Sequence, residues 1–244
     1  MTPKEAMIHQ INNLQGKPLK QKCEHILTYF GIPIVAILAV LVFVVSNVVS
    51  YSLKKETVLN ITCINSLADT DHVQVYVSDF AKYAGIDLDN SEVNLLTNYY
   101  LTPSDPMASY DTAQVILAQI VARTIDIMAA DTDTVMEYAY QEAFMDLRTV
   151  LSPEQQEKYA EHFLYMDYAL LPEMQSLEKI PTAFPNPTEP TAMREPIPVA
   201  LLLPSTGEFS NLCFANQFDG VAVGIIANAE NLSNAILFVD YIME

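Results

Sequence analysis

The sequence predicts an α/β protein in which an N-terminal transmembrane helix precedes a mainly parallel-sheet α/β domain. Three observations carry this. The stretch Phe30 to Tyr51, FGIPIVAILAVLVFVVSNVVSY, holds no charged residue and at 1.5 Å per helical residue is long enough to cross a hydrocarbon core of roughly 30 Å. Behind it, segments of period 2 alternate with segments of period 3.6, the pattern of helices packed on a mainly parallel sheet. The roughly 190 residues after the span suffice for one domain with its own core.

Taken from the N-terminus, residues 1–29 read as a cytoplasmic segment, 30–51 as the transmembrane helix and 56–244 as an extracytoplasmic domain. A cleaved signal has a short basic start and an apolar run of roughly 7–15 residues. Here the lead and the apolar run are both too long for that, so the span reads as a retained anchor despite Val48 and Ser50, a weak cleavage pair. Lys4, Lys17, Lys20 and Lys22 precede the span, and only Lys54 and Lys55 follow closely; this bias places the N-terminus inside. Residues 52–244 hold 8 Lys and Arg against 28 Asp and Glu, a balance of −20. So acidic a domain repels nucleic acid and anionic lipid surfaces, which excludes nucleic-acid partners.

Thr57 to Ile64 alternates as a strand. Asp69 to Ala84 reads as a helix stopped by Gly85, and Ser91 to Tyr99 as a strand. Thr102 to Met107 reads as a turn. A helix follows, with Ala113, Ile116, Leu117, Ile120, Val121 and Thr124 on one face, then a strand at Ile125 to Ala129 and a helix at Thr132 to Gln141. Ser152, Pro153 and Gln155 form a capping-box start. From Pro172 to Pro204 the chain holds 8 prolines, which rules out continuous helix and predicts an extended crossover. Val221 to Ala227 reads as a buried strand and Ser233 to Met243 as a final helix. Ile116, Ile120, Ile125, Ile127, Val223 and Ile225 are expected to share one core.

Asp131 and Asp133 lie where a strand hands over to a helix, the end of an α/β sheet at which ligands bind. The competing reading is a helix cap with a first-turn carboxylate. Asn65 and Ser66, in the 65–70 turn after the first strand, complete the candidate ligand-binding set. Asp87, Asp89, Ser91 and Glu92 make an oxygen-rich turn that lacks the Gly and closing Glu of a calcium loop. Tyr138, Tyr140, Tyr159, Tyr165 and Tyr168 are candidates for a shallow aromatic surface, with core or core-edge places as the alternative. Cys63 and Cys213, the two cysteines behind the span, are the only possible disulfide pair there, and two buried thiols are the favoured reading over a bridge. His9, His25, His72 and His162 are scattered, so neither a metal nor another cofactor is indicated. No phosphate loop, nucleophile elbow or metalloprotease helix is present, which points to binding rather than catalysis.

The run Ile116 to Leu151, with Ile125–Asp131 and Ala143–Leu147 at its centre, resembles the helix, strand and helix of extracytoplasmic solute-binding proteins of bacterial ABC importers, in the sugar-binding type of periplasmic-binding fold. Val221 to Ile242, VAVGIIANAENLSNAILFVDYI, resembles the strand, Asn-rich turn and helix near the end of those proteins. The resemblance implies one lobe of that fold in a reduced, membrane-anchored form. It also implies a small-molecule solute, neutral or cationic given the acidic balance, and an ABC transporter as membrane partner. Family members are about twice this length and close two lobes over the ligand, and Glu142 stands where they carry Gly at a helix end. A ligand-free structural or interaction module docking a membrane-protein partner is the alternative expectation.

Overall fold

The computed structural model describes residues 18–52, 55–102, 104–175, 185–215, 218 and 220–244. Two units are distinct, residues 1–54 and 55–244. In the first, one helix, α1 (Leu19–Ser52), runs for 34 residues with Pro33 inside it, and Ile32 to Val45 expose their apolar side chains. Among the described residues no helix is long and apolar enough to cross a membrane. The uncharged sequence itself runs further, from Phe30 to Tyr51. The expected cytoplasmic segment lies largely outside the described residues.

The second unit is a six-stranded sheet of order β2-β1-β3-β6-β5-β4. Its strands are β1 (Glu56–Ile64), β2 (Ser91–Tyr99), β3 (Ile127–Asp131), β4 (Phe163–Asp167), β5 (Pro196–Leu202) and β6 (Val221–Ile225). The first half is parallel, with β1 between β2 and β3. The second half is antiparallel throughout: β6 against β3, β5 against β6, β4 against β5. The sheet is therefore mixed, where the strand–helix alternation predicted a mainly parallel one.

The helices that accompany the sheet are α2 (Thr70–Ala84), α3 (Pro106–Val121), α4 (Thr132–Ala139), α6 (Pro153–Lys158), α8 (Glu208–Phe214) and α9 (Leu232–Ile242), with short α5 (Leu147–Val150) and α7 (Leu171–Gln175) between them. Asp69 caps α2 by accepting from the Asp71 N–H, and Gly85 ends it at φ 69°, a left-handed turn that Gly takes without Cβ strain. The Ser152–Gln155 capping box opens α6, and the Gln155 amide then donates to Asp240 on α9 at 2.9 Å. The segment read as a turn does turn, the Asp105 N–H donating to the Thr102 carbonyl at 3.1 Å, and its end opens α3, with Asp105 as the cap and Pro106 in the first turn. β3 begins two residues later than expected, at Ile127.

Strand periodicity sends alternate residues to opposite faces, and the core divides accordingly. On one face Ile127, Ala129, Val223 and Ile225 pack with α2, α8 and α9. There Phe80, Phe209 and Phe238 meet edge to face at 5.0 and 5.4 Å. On the other, Met128, Ala130 and Ala222 pack with Ile116 of α3 and Val135 and Met136 of α4. The five isoleucines and one valine expected in one core are thus split. Ile116 and Ile125, with Ile120 partly buried beside them, lie on the α3 side, and Ile127, Val223 and Ile225 lie on the α2 side.

A carboxylate holds these layers together. Asp126, fully buried, accepts from the Asn60 N–H at 2.8 Å and from the N–H and side-chain amide of Asn231 at 2.9 and 3.0 Å. It thereby ties β1 to the turn between β6 and α9. Asp167, at the end of β4, accepts from the backbone N–H groups of Glu195, Arg194 and Ala169 at 2.9, 3.1 and 3.2 Å. Burial would raise its pKa, but those bonds and the nearby Arg194 guanidinium outweigh burial and hold it below the usual carboxylate range.

Candidate functional site

The crossovers from β1 decide where a crevice forms. The chain leaves β1 for β2 through α2 on one face, and leaves β2 for β3 through α3 on the other. The connections therefore diverge between β1 and β3, and open α/β sheets bind ligands outside the carboxyl ends of the strands at such a point.

A groove of about 730 Å³ lies there, walled by Asn65, Asp131, Asp133, Thr134, Asn186 and Thr188 among others. Its volume falls within the usual range for small-molecule sites. Asn65 follows β1 directly and stands at φ 59°, a left-handed conformation that Asn tolerates through its short polar side chain. Its N–H donates to the Tyr99 carbonyl at 2.8 Å and its Oδ1 accepts from the Leu101 N–H at 2.7 Å, which joins the ends of β1 and β2. Asp131 ends β3 and caps α4: Oδ1 accepts from the Thr134 N–H at 2.9 Å and Oδ2 from the Thr134 hydroxyl at 2.7 Å. Asp133 is exposed in the first turn of α4. The cap reading of Asp131 is thus met in full, on the wall of the groove.

Ser66 is placed differently. It is fully buried, donating to the Cys213 carbonyl at 2.7 Å and accepting from the Ala68 N–H at 3.2 Å, so it shapes the turn instead of facing the groove. Three of the four candidate residues are brought together and the fourth lies behind them. The five tyrosines form no common surface. Tyr138, Tyr140 and Tyr159 are buried and Tyr168 is exposed; burial, with Glu137 adding to it, pushes the Tyr138 hydroxyl up to about 12. Asp87 folds its own turn, accepting from Asp89 N–H and the Asn90 amide. Among the described residues no group of His, Cys, Asp and Glu could hold a metal ion.

The far wall comes from the proline-rich segment. Asn186 Oδ1 accepts from the Thr188 N–H and hydroxyl at 3.1 and 2.9 Å, and the Pro187 carbonyl accepts from Tyr165 on β4 at 2.8 Å. The signal for this was present in PNPT, where Asn and Thr flank a proline in a local side-chain turn. Only the pairing with β4 places it against Asp131. Leu164 of β4 and Leu202 of β5 supply apolar floor. A second cavity of about 400 Å³, with Glu161, His162 and Ser210 in its wall, adjoins the groove through Leu202, Phe218 and Gly220.

Among the described lining residues the groove carries two carboxylates and no Lys or Arg. Hydroxyls and amides accompany them, a set that accepts hydrogen bonds from hydroxyl or ammonium groups and disfavours anions. Comparison with protein-family profiles, with curated proteins and with solved structures finds no match.

Proposed function

We propose that this chain is a membrane-anchored extracytoplasmic binding domain that holds a neutral or cationic small solute in the groove between Asn65 and Asp131, as a reduced, single-lobe relative of the solute-binding proteins of ABC importers. The observation that carries the reading is the position of an acceptor-rich groove at the point where the sheet connections diverge. Support for the anchor comes from the uncharged Phe30–Tyr51 stretch and from the continuous α1 backbone across it. Binding at a single lobe is shallow, which suits presentation of a solute to a membrane partner such as an ABC transporter better than long retention.

A thermal-shift screen of the full chain in detergent, against neutral sugars and polyols, amino acids and amines, tests this. A ligand at 100 times its Kd stabilises the fold by about 2.7 kcal/mol. Asp131→Asn with Asp133→Asn should abolish the shift, and undiminished affinity in that double variant would remove the site.

One observation favours the alternative, a module that docks a membrane-protein partner. On α3, Met107, Tyr110, Val115 and Val121 are exposed while Ile116 is buried, and exposed apolar side chains gathered on one helix suit an interaction site. A screen without hits, together with crosslinks from an engineered α3 position to a membrane protein, would favour it.

A further inference from the structure

Cys63 and Cys213 stand 150 positions apart in the chain and are free, buried thiols in this structure, as the sequence led us to expect, yet their sulfurs lie 3.9 Å from one another. Cys63 sits near the end of β1 and Cys213 near the end of α8. The Cys213 backbone is held to the turn that follows Cys63, because its carbonyl accepts from the Leu67 N–H at 2.8 Å and from the Ser66 hydroxyl at 2.7 Å. A disulfide needs sulfurs about 2.05 Å apart, so each has roughly 1 Å to travel, within reach of side-chain rotation.

We infer that Cys63 and Cys213 are joined as a disulfide in the mature protein, covalently fastening the Asn65 turn of the groove to α8. The inference rests on the extracytoplasmic placement proposed above, since disulfides persist in oxidising compartments. In the reaction the two S–H bonds are lost and one S–S bond forms. Both hydrogens end on the two sulfurs of an oxidising protein or low-molecular-weight disulfide, which leaves as two thiols. The step belongs to folding. Once α8 is packed, burial and the neighbouring Cys213 push the Cys63 thiol up, so little of the reactive thiolate exists and no reagent reaches it. The same burial shields the finished bond from reductants until the domain opens. The clamp also orders a groove wall before a ligand arrives, which lowers the ordering cost of binding.

The test uses the full chain from its own host, denatured in excess N-ethylmaleimide and weighed intact. The chain has three cysteines, so the bridged protein takes one adduct, on Cys23, and two more only after reduction. Three adducts without reduction overturn the inference. In parallel, Glu154→Cys, an exposed site on α6, is probed on intact cells with a membrane-impermeant maleimide. Three free thiols with Glu154→Cys labelled overturn the bridge and leave the topology standing. Three free thiols with Glu154→Cys shielded overturn the bridge together with the extracytoplasmic placement.

Discussion

Replacing Asp126 should remove a large share of the stability of residues 55–244. The carboxylate is fully buried and collects three N–H donors, one from Asn60 and two from Asn231. Hydrogen bonds to charged groups each contribute roughly 1.5–3 kcal/mol, but donors sharing one acceptor do not add in full. Asp126→Ala strands all three, and the expected loss is about 3–5 kcal/mol, the range found when one partner of a buried charged contact is deleted. Against the roughly 5–15 kcal/mol of an ordinary domain, that is at least about a fifth of the total. Asp126→Asn keeps one acceptor but turns an N–H toward the donors, and should cost about 1.5–3 kcal/mol. The chain has 13 Tyr and no Trp, so urea unfolding is followed by tyrosine emission and circular dichroism. Amide exchange should accelerate at Asn60 and Asn231 first. An Asp126→Ala loss under about 1 kcal/mol would show that water replaces the carboxylate and that the β1 to α9 tie is incidental.

Four further outcomes are expected. Gly224→Ala drives a Cβ to 2.5 Å from the Phe144 ring and should cost about 1–3 kcal/mol by chemical denaturation. Ile116→Ala should cost about 2–5 kcal/mol, and Ile120→Ala clearly less because Ile120 is only partly buried; equal losses would mean that α3 packs in another phase. For Asp167 the folded pKa lies below the unfolded value of about 3.9. Its contribution is therefore complete above that value and lost as pH falls through the folded pKa, so wild type and Asp167→Asn should differ in urea midpoint at pH 7 and converge in acid. Glu142 stands at φ 60° and makes an interaction of its own; Glu142→Gly relieves about 1–2 kcal/mol of strain against about 0.5–1 kcal/mol of added chain freedom, so its thermal midpoint should lie slightly above that of Glu142→Ala, which loses the same side chain and keeps the strain.

The parallel half of the sheet was legible because its signals are local. β1 alternates, Gly85 and Asp69 bracket α2, and Asp131 sits at a cap position, so the Asn65–Asp131 side of the site could be drawn from residue patterns. The opposite side could not. FLYMD in β4 is apolar on nearly every position because both faces are covered. In PIPVALL two prolines argue against a strand; β5 tolerates them because it meets β6 only at Leu201 and Leu202, leaving no ladder on that side of its proline end to break. Strand direction was illegible for a further reason: alternation of strand and helix implies layers, but whether β6 runs with or against β3 depends on long-range pairing. Asp126 was overlooked because an acid inside IDIMA is recognisable as a buried acceptor only once Asn231 is seen beside it.

The place of β6 bears on how the chain is made. The strand synthesised last lies in the middle of the sheet, between β3 and β5. Until residues 221–225 emerge, the edges of β3 and β5 that it will cover stay open, and open edges recruit foreign strands. A ribosome therefore delivers nearly the whole domain before its sheet can close, and a nonsense change as late as Gly220 would release two unpaired halves. Whatever escorts the nascent chain must shield it until residues 221–225 emerge.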